Sequence, residues 1–352
     1  MSALAKAAVL AGLVRRKLTF FTWNVTNRCN EDCPMCEVIR RPAVDLTIAE
    51  AQRILTEFRR AGFMSLGITG GEPFFRPDIH DLLDVVDATG LQYTIATNGV
   101  LVDDAAARHV ARLRNLLQVA VSIDSLDPHR FEKLRGRPVL GEAIAGLDRL
   151  IAARPSGTVK VNFVMSRENQ GDVDALLAFV KTKNVFLTII PVVAGENGMI
   201  HRRNDPMFVS AAAERASMAA TFDRLAAMRR AGEPIWDSSA YHEMAAGLAR
   251  GQNPGPCDAG KVMIELRADG GLAVCPDHEA FASLREMPLS RALQMLPSQE
   301  ASIERCHTET PCLYTCTYGL TAIRKHPARH LMEHARVTRH QKAAARDPAK
   351  NG

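Results

Sequence analysis

Strand-like and helix-like runs alternate along the first half of this chain, and that alternation constrains the fold more than anything else in it. Apolar runs rich in branched and aromatic residues fall at 18–25, 64–69, 91–96, 117–123, 158–164 and 185–190, each bounded by turn residues. Amphipathic segments lie between them at 47–61, 79–88, 103–114, 128–152 and 172–181. Strands separated by helices are the pattern of parallel βα units. The spacing therefore predicts an α/β fold, a partial (β/α)6 TIM-like barrel followed by a smaller C-terminal domain. At 352 residues the chain is long enough to hold both.

In such folds every loop after a strand opens on the same mouth, so chemistry collects at the carboxyl ends. The first strand here runs into Cys29, Cys33 and Cys36, spaced C-x3-C-x2-C. Structural zinc takes four ligands, and iron–sulfur clusters are commonly held by four cysteines. Three thiolates on so tight a loop suit a cluster with one iron left without a protein ligand. The second strand runs into Gly70-Gly71-Glu72-Pro73, the third ends in Thr97-Asn98-Gly99, and the fourth carries Ser122 and Asp124. Taken singly, a Gly-Gly after a strand reads as a turn and a Ser-x-Asp as a helix cap. A zinc knuckle or a redox pair would account for the cysteine loop but not for the Gly-Gly-Glu-Pro run.

In this order, the motifs of residues 18–190 resemble those of the radical S-adenosylmethionine (SAM) enzymes. The resemblance implies a 4Fe-4S cluster on Cys29, Cys33 and Cys36 whose open iron chelates SAM. It implies that Gly70, Gly71, Glu72 and Pro73 bring backbone groups against the SAM amino group, which glycine alone approaches so closely. It also implies that Ser122 and Asp124 face the ribose hydroxyls and that Asn98 lines the site. Arg135 is either a contact to the SAM or substrate carboxylate or a solvated charge at a helix end.

Five further cysteines follow late in the chain, with none in the two hundred or so residues between the groups. Cys257 and Cys275 bracket a hairpin pattern with a turn at Asp269-Gly270-Gly271; Cys306, Cys312 and Cys316 follow as C-x5-C-x3-C. The arrangement is similar to the auxiliary-cluster extension of radical SAM enzymes, the SPASM domain or its shortened twitch form. The full form uses seven cysteines for two clusters. Here Ile303 occupies the place of a further cysteine, so the resemblance implies one auxiliary 4Fe-4S cluster, held by Cys257, Cys275, Cys316 and either Cys306 or Cys312. That leaves one spare thiol, inert or able to give a hydrogen atom to a substrate radical. A disulfide and a zinc site are the remaining alternatives.

Eight cysteines without a secretory signal argue for a reducing, cytoplasmic setting, and no apolar run is long enough to span a bilayer. Residues 1–17 read as an amphipathic helix that packs on the barrel or makes peripheral membrane contact. The barrel is expected over 18–235, the auxiliary domain over 236–320 and a basic tail over 321–352. Of the 44 Lys/Arg and 39 Asp/Glu, eight and two lie in that tail, so the catalytic body is near neutral and no nucleic-acid partner is expected. His326, His330 and His334 share one face of a helix in it, read here as a solvated basic face rather than a metal site. The tail's charge suits an acidic flavodoxin or ferredoxin electron donor.

The function this reading predicts is reductive cleavage of SAM and hydrogen abstraction from a biosynthetic substrate, ending in oxidation, epimerisation or carbon–carbon bond formation. Small-molecule, tetrapyrrole, lipid-linked and peptide substrates stay open; with so short a segment before the first strand, a ribosomal peptide would need a partner to present it. A non-catalytic iron–sulfur carrier or maturation scaffold is the competing class, and it has no use for the Gly-Gly-Glu-Pro run or for Ser122 and Asp124. No general acid, base or hydrogen donor is assigned.

Overall fold

The structure is a computed structural model that describes residues 18–192, 212–309 and 312–346. The first strand, β1 (Phe20–Asn24), reads FFTWN and is almost wholly buried. Helix α1 (Ile48–Arg60) follows, its start fixed by a capping box in which Thr47 and Glu50 satisfy each other's backbone N–H. Then come β2 (Ser65–Thr69), α2 (Ile79–Ala88), β3 (Gln92–Thr97), α3 (Asp104–Arg112) and β4 (Leu116–Ser122). These match the sequence expectation to within a residue or two, because each strand is a short apolar run closed by turn residues.

The segment 128–152 departs from it. One helix was expected there; the structure has two, α4 (Pro128–Arg135) and α5 (Leu140–Ala153). Gly136 ends α4 in the left-handed region at φ 72°, where glycine alone is unstrained. It also passes so close to the cysteine loop that a Cβ would sit 2.3 Å from the Asp32 carbonyl oxygen. The break thus seats α4 against that loop.

Strand β5 (Thr158–Met165), α6 (Val173–Thr182) and β6 (Phe186–Pro191) complete the parallel set. After helices α7 (Ala212–Ala231) and α8 (Ser239–Ala249) come the short strands β7 (Met263–Leu266), β8 (Gly271–Ala273) and β9 (Ala282–Ser283). The sheet order is β6-β5-β4-β3-β2-β1-β7-β8-β9. Neighbours are parallel from β6 through β7, and only β8 and β9 run antiparallel. The sheet does not close on itself, so this is an open barrel, and β7 continues it directly beside β1, from Phe20 opposite Met263 to Trp23 opposite Leu266.

The chain ends in α9 (Glu300–Glu309), α10 (Leu320–Lys325) and α11 (Pro327–Arg346). Helix α11 corrects the expectation of a solvated basic face. Its Glu333, 5% exposed, accepts from Ser239 N at 3.1 Å and faces the buried guanidinium of Arg229 at 3.7 Å. His334 packs edge-on to Trp236 at 5.3 Å, and Val337 is fully buried. Residues at three- and four-residue spacing share a helix face, and here that face turns His330 and His334 partly inward, while His326, just before α11, is exposed as expected and Leu331 and Met332 point out. The N-terminal helix expected over 1–17 lies outside the described residues.

Candidate active site

Three loops at the carboxyl ends of β1, β2 and β3 are knitted together by backbone. Gly71 N donates to Thr26 O at 2.8 Å and Glu72 N to Arg28 O at 2.9 Å, clamping the Gly-Gly-Glu-Pro loop onto the cysteine loop. A Cβ on Gly70 would lie 2.4 Å from Thr26 O, and one on Gly71 would lie 2.2 Å from Arg28 O. The glycines are needed because two backbones cross there. Glu72 is fully buried, and its carboxylate accepts from Thr97 Oγ1 at 2.7 Å, Asn98 N at 2.6 Å and Phe74 N at 2.9 Å. Burial pushes it up to about 7, against the pull of those hydrogen bonds. Glu72 and the buried Pro73 therefore brace the loop from behind. Asn98 Nδ2 donates to Asn30 Oδ1 at 2.7 Å, which ties the end of β3 to the cysteine loop.

The thiols of Cys29, Cys33 and Cys36 open on one cavity of about 460 Å³, together with Gly70, Gly71, Asn98, Ser122 and Arg135. Burial pushes the Cys29 thiol up to about 12. It raises Cys33 and Cys36 as well, while the Arg135 guanidinium pulls both of these down. Buried thiols keep their protons until a metal displaces them, and a fixed cation favours the thiolate form.

Arg135 is not a solvated charge. It is 7% exposed and lies 2.7 Å from Asp124 and 3.5 Å from Glu31. Asp124, fully buried, spends its other oxygen on Val164 N at 2.7 Å. Asp124 has no surface in the cavity, whereas Ser122, two residues earlier on β4, has. The structure therefore turns Asp124 toward Arg135 and leaves Ser122 as the residue of that pair facing the chamber.

The donor set fits an iron–sulfur cluster. Three thiols share one wall, a buried guanidinium with an unpartnered Nη2 stands beside them to balance the negative charge of a thiolate-bound cluster, and glycine loops leave room for a second group at the open iron.

All five late cysteines are half-buried. Cys257 feels the charge of Cys306, Cys312 that of Cys257 and Cys306, and Cys275 that of Cys312 and Cys257. Tyr314 feels both Cys275 and Cys316, and Tyr241 both Cys312 and Cys316, so the five thiols share one neighbourhood, one more than a single cluster takes. Cys316 also lines the main cavity, beside Tyr314, Glu265 and Lys160. Ile303, in place of a further cysteine, is buried as plain core.

Sequence reasoning missed the far wall of the chamber. Lys160 on β5 donates to Thr188 Oγ1 at 3.0 Å and lies 5.3 Å from the centre of the Trp236 ring. Burial pushes it down to about 8, with Asp237 pulling it back up. His330 of α11 reaches the same cavity, and burial holds it down to about 4. One signal was available: Lys160 and Asn162 alternate within an apolar strand, as inward-facing residues of a polar chamber must.

An open parallel barrel with three thiols and a glycine cradle at its mouth defines a radical SAM domain. Residues 23–180 match the Radical SAM superfamily, and this chain carries that domain, whose cofactors are SAM and a 4Fe-4S cluster. Among curated relatives, the chain is similar to the GTP 3',8-cyclase of Vibrio cholerae serotype O1, 30% identical over 202 residues covering 54% of this chain and 59% of the cyclase. It is also similar to the mycofactocin maturase MftC of Mycobacterium ulcerans, 26% identical over 262 residues covering 72% of this chain and 67% of the maturase. The chain thus spans about 59% of the cyclase's length. Of solved structures, Streptococcus suis SuiB bound to precursor peptide SuiA aligns with TM-score 0.63 at 15% identity, covering 82% of this chain and 68% of SuiB. Native anSMEcpe with bound AdoMet and Cp18Cys peptide aligns with TM-score 0.62 at 13% identity, covering 79% of this chain and 80% of that one. These two show a shared fold. Among the described residues no helix is long and apolar enough to cross a membrane.

Proposed function

We propose that this chain is a radical SAM enzyme that takes a hydrogen atom from a substrate bound in the chamber between the cysteine loop and the Lys160 wall. Cys29, Cys33 and Cys36 hold the cluster, and Gly70, Gly71, Asn98 and Ser122 form the SAM cradle. Bound there, cluster and SAM supply a 5'-deoxyadenosyl radical when an electron arrives. The chain's own part is to balance the thiolates with Arg135 and to orient the substrate between Lys160, Asp237 and Trp236. Cys257, Cys275, Cys316 and either Cys306 or Cys312 hold an auxiliary cluster in a twitch-like unit after residue 235.

The observation that carries the reading is the meeting of three thiols, two backbone-crossing glycines and Ser122 on one cavity wall. A cluster carrier needs only the thiols. The electron donor in this reading is a flavodoxin or ferredoxin, and the setting is the cytoplasm. The substrate is a small molecule, a lipid-linked intermediate or a peptide; the names of the relatives span a nucleotide cyclase and a maturase. Anaerobically reconstituted protein given SAM and dithionite should release 5'-deoxyadenosine, and Cys33→Ala should abolish that release. A reconstituted, cluster-loaded protein that leaves SAM intact would show the carrier class instead.

A further inference from the structure

Lys160 is a buried cation without a counterion. It is 9% exposed, and of its three N–H donors one meets Thr188 Oγ1 at 3.0 Å. Trp236 lies against it, the ring centre 5.3 Å from Nζ. Among the described residues no carboxylate forms an ion pair with Lys160; it and Asp237, which line the same cavity, feel each other's charge at longer range. Buried charges are as a rule paired. The two remaining N–H donors therefore mark a place for an anion that the chain does not supply.

Other atoms on the same cavity ask for hydrogen-bond partners of their own. Asn162 keeps an unpartnered Oδ1, Thr22, 2% exposed, an unpartnered Oγ1, and His330 an unpartnered Nδ1. Such atoms are rare and costly in a finished structure. Asp237 accepts from Ile189 N at 3.0 Å through Oδ2 and brings a negative charge to the wall. The charges also set the kind of anion. One ammonium balances one carboxylate, whereas the Asp237 carboxylate opposes a phosphate dianion and favours a ligand that also carries an amine. The cavity's guanidinium, Arg135, is already held by Asp124. Position follows from register: Asn162 pairs with Ser122 and Lys160 with Ala120. Lys160 thus stands one inward-facing step, about 7 Å, deeper than the Ser122 level.

We propose that the chamber selects an amino acid, free or as the acidic or C-terminal residue of a peptide, whose carboxylate Lys160 binds and whose N–H donors meet Asp237 and Asn162. The inference rests on the radical SAM reading above and deepens it by naming the substrate class. It places the reacting C–H bond between the acid group and the SAM cradle, a few bonds from the carboxylate.

Two measurements on the full, anaerobically reconstituted chain test it. The first reads binding without turnover, because a ligand of the native state raises the melting temperature. L-Glutamate, L-serine and succinate, at matched ionic strength, should include at least one that raises it in the parent, whereas inorganic phosphate and succinamide should not. Lys160→Met should lose that rise and Lys160→Arg should keep part of it. No rise with any carboxylate, an equal rise with phosphate or succinamide, or the same rise in Lys160→Met overturns the proposal. Lys160→Met should also bind the parent's full iron; losing half of it would make Lys160 a counterion of the late cluster and overturn the proposal as well.

The second measurement follows deuterium into 5'-deoxyadenosine from three pools, given with SAM and dithionite: uniformly deuterated amino acids, a peptide digest of uniformly deuterated protein, and deuterated glycerol and glucose. One of the first two should label the product, which tells a free amino acid from a peptide, and Lys160→Met should lose the label while still cleaving SAM. Label from the neutral pool alone, label from none, or undiminished label in Lys160→Met overturns the proposal. A parent with full iron that makes no 5'-deoxyadenosine overturns the radical reading instead, and the melting shifts still report on the acid site.

Discussion

Arg135 Nε lies 2.7 Å from Asp124 Oδ2, with Glu31 3.5 Å from the other arm of the guanidinium. The pair joins the C-terminal end of α4 to the loop after β4 and places a cation behind Cys33 and Cys36. Removing one partner of a buried ion pair leaves an uncompensated charge, at a cost of about 3–5 kcal/mol. Asp124→Asn should lower stability by that order in urea unfolding of cluster-loaded protein, and Asp124→Leu combined with Arg135→Met should recover most of it. If Asp124→Asn unfolds with the parent, the pair is not what holds this corner.

Gly136→Ala should separate folding from cluster loading. The new methyl meets Asp32 O at 2.3 Å in a left-handed backbone, a strain of about 1–3 kcal/mol. Asp32 sits between Cys29 and Cys33, so the loop that moves is the one carrying the thiols. The variant should fold and keep the late cluster but lose the first one, halving its iron. Full iron with normal SAM cleavage would contradict this.

The buried carboxyl of Glu265 gives a pH signature. Burial pushes it up from 4.5 to about 7, against the pull of Arg267 and Arg41. The native state therefore holds a proton there that the unfolded chain releases, and the stabilisation is full below about 4.5 and lost as pH rises through about 7. The slope in that window is at most about 1.4 kcal/mol per pH unit for one proton. Glu265→Gln keeps an acceptor for Asn24 Nδ2, which donates to the carboxylate at 3.4 Å. It should flatten the decline measured by urea midpoints between pH 5.5 and 8; an unchanged slope assigns it to other groups.

Glu333 and the exposed basic residues of α11 should behave oppositely. Glu333→Gln leaves Arg229, fully buried, without its carboxylate, and should cost about 3–5 kcal/mol. Arg339→Glu, on the exposed side, should leave stability within about 0.5 kcal/mol. It should weaken flavodoxin-driven turnover in a salt-dependent way while sparing dithionite-driven turnover. Equal donor kinetics in parent and Arg339→Glu would remove the docking role.

The barrel was legible because each parallel strand is an apolar run cut off by turn residues, and the site motifs because each sits where a strand stops. What stayed hidden depends on contacts between distant parts of the chain. Phe131 and Leu134 continue the apolar spacing of one long helix, so only the approach of Gly136 to Asp32 shows the break. Asp124 reads as a cavity residue beside Ser122 until Arg135 is seen to claim it. Glu333 meets Ser239 across 94 residues, which no local pattern around His330 and His334 announces. The spacing of Cys306, Cys312 and Cys316 does not announce that Cys316 lies in a π-helical turn on the cavity.

The ladder between Phe20–Trp23 and Met263–Leu266 has a consequence for electron flow. The strand that feeds the early thiols and the strand that the late thiols bracket are hydrogen-bonded neighbours, so their separation is set by a rigid ruler of backbone. With both proposed clusters loaded, an electron passing between them would cross a gap set in part by that ladder, and its rate should change little with whatever occupies the chamber.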